Sequence, residues 1–194
     1  LKHLDPAYRS ALIVSAVLNL LMFFIEGGVG WWIGSTALLA DAIDFFEDSG
    51  IYALGVLALA WPAQRRAWAG LGVGYAMYGV GFVAVAQVIA RLIYGGMPAP
   101  WPMAETAAAA LAVNAYCAYR LSPHKHGDAS VRSIWLSTRN DTVVNALTIV
   151  TAGAVALLAK AWPDLAAGII IAAINLWGAW QIVAQAHGEL RRNA

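Results

Sequence analysis

Residues 37–48 read Ala37-Leu38-Leu39-Ala40-Asp41-Ala42-Ile43-Asp44-Phe45-Phe46-Glu47-Asp48. Four carboxylates stand inside an apolar stretch that runs from about residue 35 to 61. What surrounds the stretch decides how to read it. Of the 194 residues, 61% are apolar and 12% are charged, against roughly 25% charged in an ordinary soluble domain. The mean hydropathy is +0.65. A soluble chain of this length needs more polar surface to cover its core, and lipid removes that need. The expected fold class is therefore an all-α membrane protein.

Working outward from this stretch, apolar runs near span length fall at about 10–32, 35–61, 67–93, 103–121, 131–159 and 163–186. They predict six transmembrane helices in a single domain over residues 1–194. The separators carry turn chemistry or charge: Gly34-Ser35, Pro62 with Arg65 and Arg66, Gly95 to Pro102, Ser122 to Ser130, and Trp162-Pro163. Basic residues fall in alternate connections: Lys2 and Arg9, then Arg65 and Arg66, then Lys125 and Arg132, then Arg191 and Arg192. The positive-inside rule puts both termini in the cytoplasm, as an even span count requires. Trp31, Trp32, Trp61, Trp101 and Trp162 sit at span ends, where an interfacial aromatic belt belongs. Asn19 and Asn114, Asp48 and Asp141, and Gln87 and Gln181 recur at nearly constant offset. That spacing suggests a 3+3 inverted repeat, a transporter signature with sites where the halves meet.

An acid near mid-bilayer costs about 2.5–3.5 kcal/mol on the insertion scale, so a span with four of them needs a purpose or a partner. Asp44 and Asp48 are four apart and stack on one helical face. Asp41 continues that stripe by one turn, as a ligand or as a vestibule acid. Glu47 is rotated about 100° from Asp48 and need not join it. The fifth span reads Trp135-Leu136-Ser137-Thr138-Arg139-Asn140-Asp141-Thr142-Val143-Val144-Asn145. Ser137 and Asn145 lie on the face of Asp141, and Asn140 is its neighbour. Two such helices facing each other offer three carboxylates and several neutral oxygens. Carboxylates crowded together repel and hold protons, and a divalent cation relieves the repulsion by displacing them. The expected chemistry is exchange of a metal cation against protons. Glu26 reads as an interhelical hydrogen-bonding group.

Other classes find less support. Net charge is +1, so nothing points to nucleic acid. Cys117 is the single cysteine, which excludes an internal disulfide and a cysteine-cluster site. The alternatives are a non-transporting membrane assembly partner and, further off, an intramembrane hydrolase. An aspartyl protease would want a Gly-x-Gly-Asp motif, which the sequence lacks. Gly70 and Gly74 have the small-xxx-small spacing of close helix contact, either within the chain or at a dimer seam. The His124-Lys125-His126 loop is either solvated or a metal-capture point.

The run Gly34-Ser35-Thr36-Ala37-Leu38-Leu39-Ala40-Asp41-Ala42-Ile43-Asp44 with Asp48 resembles the second helix of the cation diffusion facilitator family. Val131-Arg132-Ser133, Trp135-Leu136 and Asp141 resemble its fifth helix, and Trp162-Pro163-Asp164 agrees before the sixth. The resemblance implies a proton-coupled antiporter, usually a homodimer, that exports zinc or related metals from the cytoplasm. In a short form the dimer is expected to form through the membrane helices, and transport to proceed by alternating access. It implies a multi-pass protein of a bacterial inner (plasma) membrane. By position, the family's metal ligands fall on Asp44 and Asp48, and on Ser137 and Asp141. Ser137 is no imidazole, and Asn140 is the first choice to take its place. Many members append a soluble cytoplasmic domain, so the resemblance is to a short form without one. A site of oxygens alone suits harder ions than zinc. The expected cargo is zinc first, with cadmium, cobalt, manganese or iron as further candidates.

Overall fold

The computed structural model describes residues 5–57, 61–124 and 129–192, with the side chains of 63, 66, 129–133, 135–137, 139, 140 and 192 outside the description. Six helices follow in order: α1 (Pro6–Ile33), α2 (Thr36–Leu57), α3 (Ala63–Tyr94), α4 (Pro100–Leu121), α5 (Ala129–Leu158) and α6 (Trp162–Arg192), with a short 3₁₀ turn at Ser122–His124. No strand occurs among the described residues. The protein is an all-α membrane protein. Large apolar side chains such as Phe24, Trp32, Phe82, Leu157 and Trp177 face outward, as a lipid-facing surface requires.

Local chemistry sets the helix ends. Asp5 accepts from the Ala7 amide at 2.9 Å and Pro6 occupies the first turn, so α1 starts there. Gly34 ends it with φ 67, a left-handed conformation that a side chain would strain. The Arg91 guanidinium of α3 donates to the Ile33 carbonyl at 2.9 Å, supplying a cation where the helix dipole is negative. Only Gly34 and Ser35 separate α1 from α2, so the two helices pack as antiparallel neighbours.

Glycines set how closely the helices approach. A Cβ on Gly30 would meet the Leu38 Cβ at 3.0 Å and the Leu39 amide at 3.1 Å, so glycine allows α1 its contact with α2. Gly70, Gly74 and Gly81 of α3 meet Ala186, Val183 and Leu176 of α6. The Gly70–Gly74 spacing thus serves packing within the chain rather than a dimer seam, whereas Gly72 and Gly79 meet nothing.

On length and composition, four helices qualify as spans: α1, Ala67–Tyr94 of α3, Asp141–Leu158 of α5 and Trp162–Arg191 of α6. The other two, α2 and α4, have 22 residues each. Their polar content keeps them below the threshold: the four acids in α2, and Glu105, Asn114 and Arg120 in α4.

Candidate metal-transport site

The first turn of α2 is anchored by a residue 128 positions away in sequence. Asp164, almost fully buried at the start of α6, accepts from the Thr36 amide at 2.8 Å and the Ala37 amide at 3.1 Å. The Ser35 and Thr36 hydroxyls donate to the same carboxylate at 2.6 and 2.9 Å. Ser35 Oγ in turn accepts from the Leu38 amide at 3.2 Å. Every otherwise unpaired amide of this turn is satisfied. One turn further along α2, Asn175 of α6 donates to the Ala40 carbonyl at 2.8 Å. These bonds fix the rotation of α2 against α6, and with it the direction of the acidic stripe.

That stripe turns toward α5. Asp141 lies within hydrogen-bonding reach of both Asp44 and Asp48. Asp48 and Asp141 are buried, and Asp44 is half-buried. Asp44 is the electrostatic hub, because its charge acts on Glu26, Asp41, Glu47, Asp48 and Asp141. The carboxylates approach in pairs: among the described residues no three His, Cys, Asp or Glu side chains stand as a ready-made metal-holding group.

Two residues that the sequence reading passed over join the site. The Tyr52 hydroxyl bonds Asp48 Oδ2 at 2.8 Å and makes a short contact with Thr138 Oγ1 of α5. Thr138 Oγ1 donates back to the Ile134 carbonyl at 2.9 Å. Both side chains are buried. The signal was present in the sequence: Tyr52 is one turn beyond Asp48 on the same stripe, and Thr138 is one turn before Asp141.

Of the remaining candidates, Asn145 is buried, donates to the Asp141 carbonyl at 2.9 Å and leaves its Oδ1 unpartnered. Asp41 is fully buried, facing Glu26 of α1 rather than Asp141. Ser137 and Asn140 lie on α5, but their side chains fall outside the described ones, as do those of Arg132 and Arg139. Glu47 leaves the stripe for α6, where a Cβ on Gly178 would stand 3.2 Å from its carboxylate. His124 packs its ring on Tyr8 at 5.0 Å and stands 3.9 Å from Asp5, while Lys125 and His126 lie outside the described residues.

No curated protein matches the chain. The family model for the cation efflux transmembrane domain matches residues 12–190, from the second turn of α1 to the end of α6, and so takes in all three aspartates. On that match, the chain belongs to the cation efflux, or cation diffusion facilitator, family of membrane metal-cation transporters.

Proposed function

We propose that the protein is a proton-coupled divalent-cation antiporter whose transport site is built on Asp44, Asp48 and Asp141. One observation carries this reading: Asp141 of α5 reaches both Asp44 and Asp48 of α2. A hydrogen bond between two carboxyl groups needs a proton, since ionised carboxylates only accept. Beside them the Tyr52 hydroxyl donates to Asp48 Oδ2 and the Thr138 hydroxyl to the Ile134 carbonyl, a row that holds Asp48 against α5. A divalent cation would take the place of the proton that the carboxyl groups share.

The metal is cargo. Asp44, Asp48 and Asp141 supply anionic oxygens. Asn140, with Ser137 and Asn145 in second rank, completes the shell with neutral ones, and Asp41 lies on the pathway. An oxygen-only set relaxes selectivity toward harder ions such as manganese, and the family resemblance keeps zinc first in a group that includes cadmium, cobalt, manganese and iron. Both termini face the cytoplasm of a bacterial inner membrane, and the ion leaves at the Gly34 end of α2 by alternating access. A second copy pairs through the membrane helices, for which the Gly72 and Gly79 face of α3 is open.

The test is metal-driven proton movement in proteoliposomes with a pH-sensitive dye inside, using zinc, cadmium, manganese, cobalt and iron, with Asp48→Asn as control. Flux that follows the metal gradient and disappears in the variant supports the reading. Absence of flux with every metal, from folded protein, refutes it and favours the assembly-partner alternative.

A further inference from the structure

Glu26 is a buried carboxylate in the last third of α1, and the transport acids do not use it. It faces Asp41 of α2 within hydrogen-bonding reach. Both side chains have no solvent exposure. None of their four carboxylate oxygens receives a hydrogen bond from a donor. Neither residue has a basic partner among the described residues. The interhelical hydrogen bond expected of Glu26 has Asp41 as its partner, an acid that can donate or accept only when one of the two carries a proton. Two acids brought together without a donor or a counter-charge are unfavourable in a low-dielectric interior.

The backbone holds them in that position. Gly30 allows α1 to touch Leu38 and Leu39, and Gly27 brings it to Ala42, where an added Cβ would stand 3.8 Å from the alanine's own. In this antiparallel register Glu26 falls within one turn of Asp41, close enough for the two carboxyl groups to meet. The pair lies three residues along α2 from Asp44, about 4.5 Å of helix rise. Asp44's charge acts on both members. Two carboxylates carry a charge that one divalent ion cancels, and carboxylate oxygens ligate zinc as well as the harder metals.

We infer that Glu26 and Asp41 form a second divalent-cation site, one turn from the transport acids toward the Gly34 end of α2, which receives the ion after it leaves Asp44. This rests on the transport reading for the ion's route, but binding at the pair can be tested separately. Bound zinc per chain is measured by equilibrium dialysis on the full chain in lipid nanodiscs. The proteins compared are wild type, Glu26→Gln/Asp41→Asn, Asp44→Asn/Asp48→Asn, and the four substitutions combined.

The expected result is that Glu26→Gln/Asp41→Asn holds one zinc fewer per chain than wild type, and removes one again in the Asp44→Asn/Asp48→Asn background. A zinc count that this substitution leaves unchanged in both backgrounds overturns the inference and shows a pair that only shares a proton. If Asp44→Asn/Asp48→Asn removes no zinc while Glu26→Gln/Asp41→Asn does, the second site stands and the transport assignment falls. The single variants Glu26→Gln and Asp41→Asn are read in the same way, so the result does not hang on a double variant folding.

Discussion

Replacing Asp164 by alanine should cost more than any other single truncation at the α2–α6 junction. The carboxylate serves two backbone amides, Thr36 at 2.8 Å and Ala37 at 3.1 Å, and two hydroxyls, Ser35 at 2.6 Å and Thr36 at 2.9 Å. The hydroxyls have alternatives. Thr36 Oγ1 also donates to the Asp164 carbonyl at 2.9 Å, which alanine keeps, and Ser35 Oγ can rotate. The amides cannot move, and Asp164 →Ala leaves both as buried donors without acceptors. At about 1–3 kcal/mol per stranded donor, the loss is about 2–6 kcal/mol. Asp164→Asn retains one acceptor oxygen and should lose roughly half as much. The assay is reversible unfolding in mixed micelles, followed by tryptophan fluorescence as the denaturing detergent fraction rises. Glu105→Ala, an exposed acid on α4, serves as the control with little effect. The reasoning fails if Asp164→Ala stays within about 0.5 kcal/mol of wild type, the range of an ordinary surface change. It fails equally if asparagine is as damaging as alanine.

Four further outcomes follow from the geometry. Gly30→Ala should lose about 1–3 kcal/mol in the same unfolding assay, since its Cβ would press on a backbone amide. Gly28→Ala, with nothing within 4 Å, should not. Asp141→Asn should abolish metal-driven proton flux in proteoliposomes while leaving the size-exclusion profile unchanged; retained flux would remove Asp141 from the site. Tyr52→Phe takes away the hydrogen bond to Asp48 and keeps the ring, so flux should drop about tenfold, the worth of a bond to a charged group. Thr138→Val should act on the same row, and the pair should be non-additive in a double-variant cycle. Apparent metal affinity should rise with pH and weaken as pH falls, by up to about tenfold per pH unit for each proton displaced. Calorimetric titrations giving one affinity between about pH 5.5 and 8 would contradict displacement.

The features legible in the sequence were those with local signals. Gly34, Pro100 and Pro163 mark helix ends because glycine and proline restrict the backbone wherever they fall. The Asp41–Asp44–Asp48 stripe is visible because helical periodicity places every third or fourth residue on one face. What the sequence hid was long-range. Nothing near Asp164 tells that it caps a helix 128 residues earlier. Glu26 reads as an acid in an apolar helix, and only the α1–α2 register gives it Asp41 as a neighbour. The Gly70–Gly74 spacing signals close packing without naming the partner, which proved to be α6 of the same chain. Tyr52 and Thr138 lie on the same periodic faces, but a hydroxyl in a membrane span carries no charge penalty that would single it out.

The four acids of α2 also bear on how the chain reaches the bilayer. At about 2.5–3.5 kcal/mol each near the helix centre, they would oppose insertion by about 10–14 kcal/mol if α2 entered alone. A two-residue connection ties it to α1, the most apolar of the four qualifying spans. The two must therefore enter during synthesis as one hairpin, with α1 carrying the polar helix in beside it. α2 then waits for α5 and α6 to be made before Asp141 can meet its acids and Asn175 and Asp164 can fix its first turns.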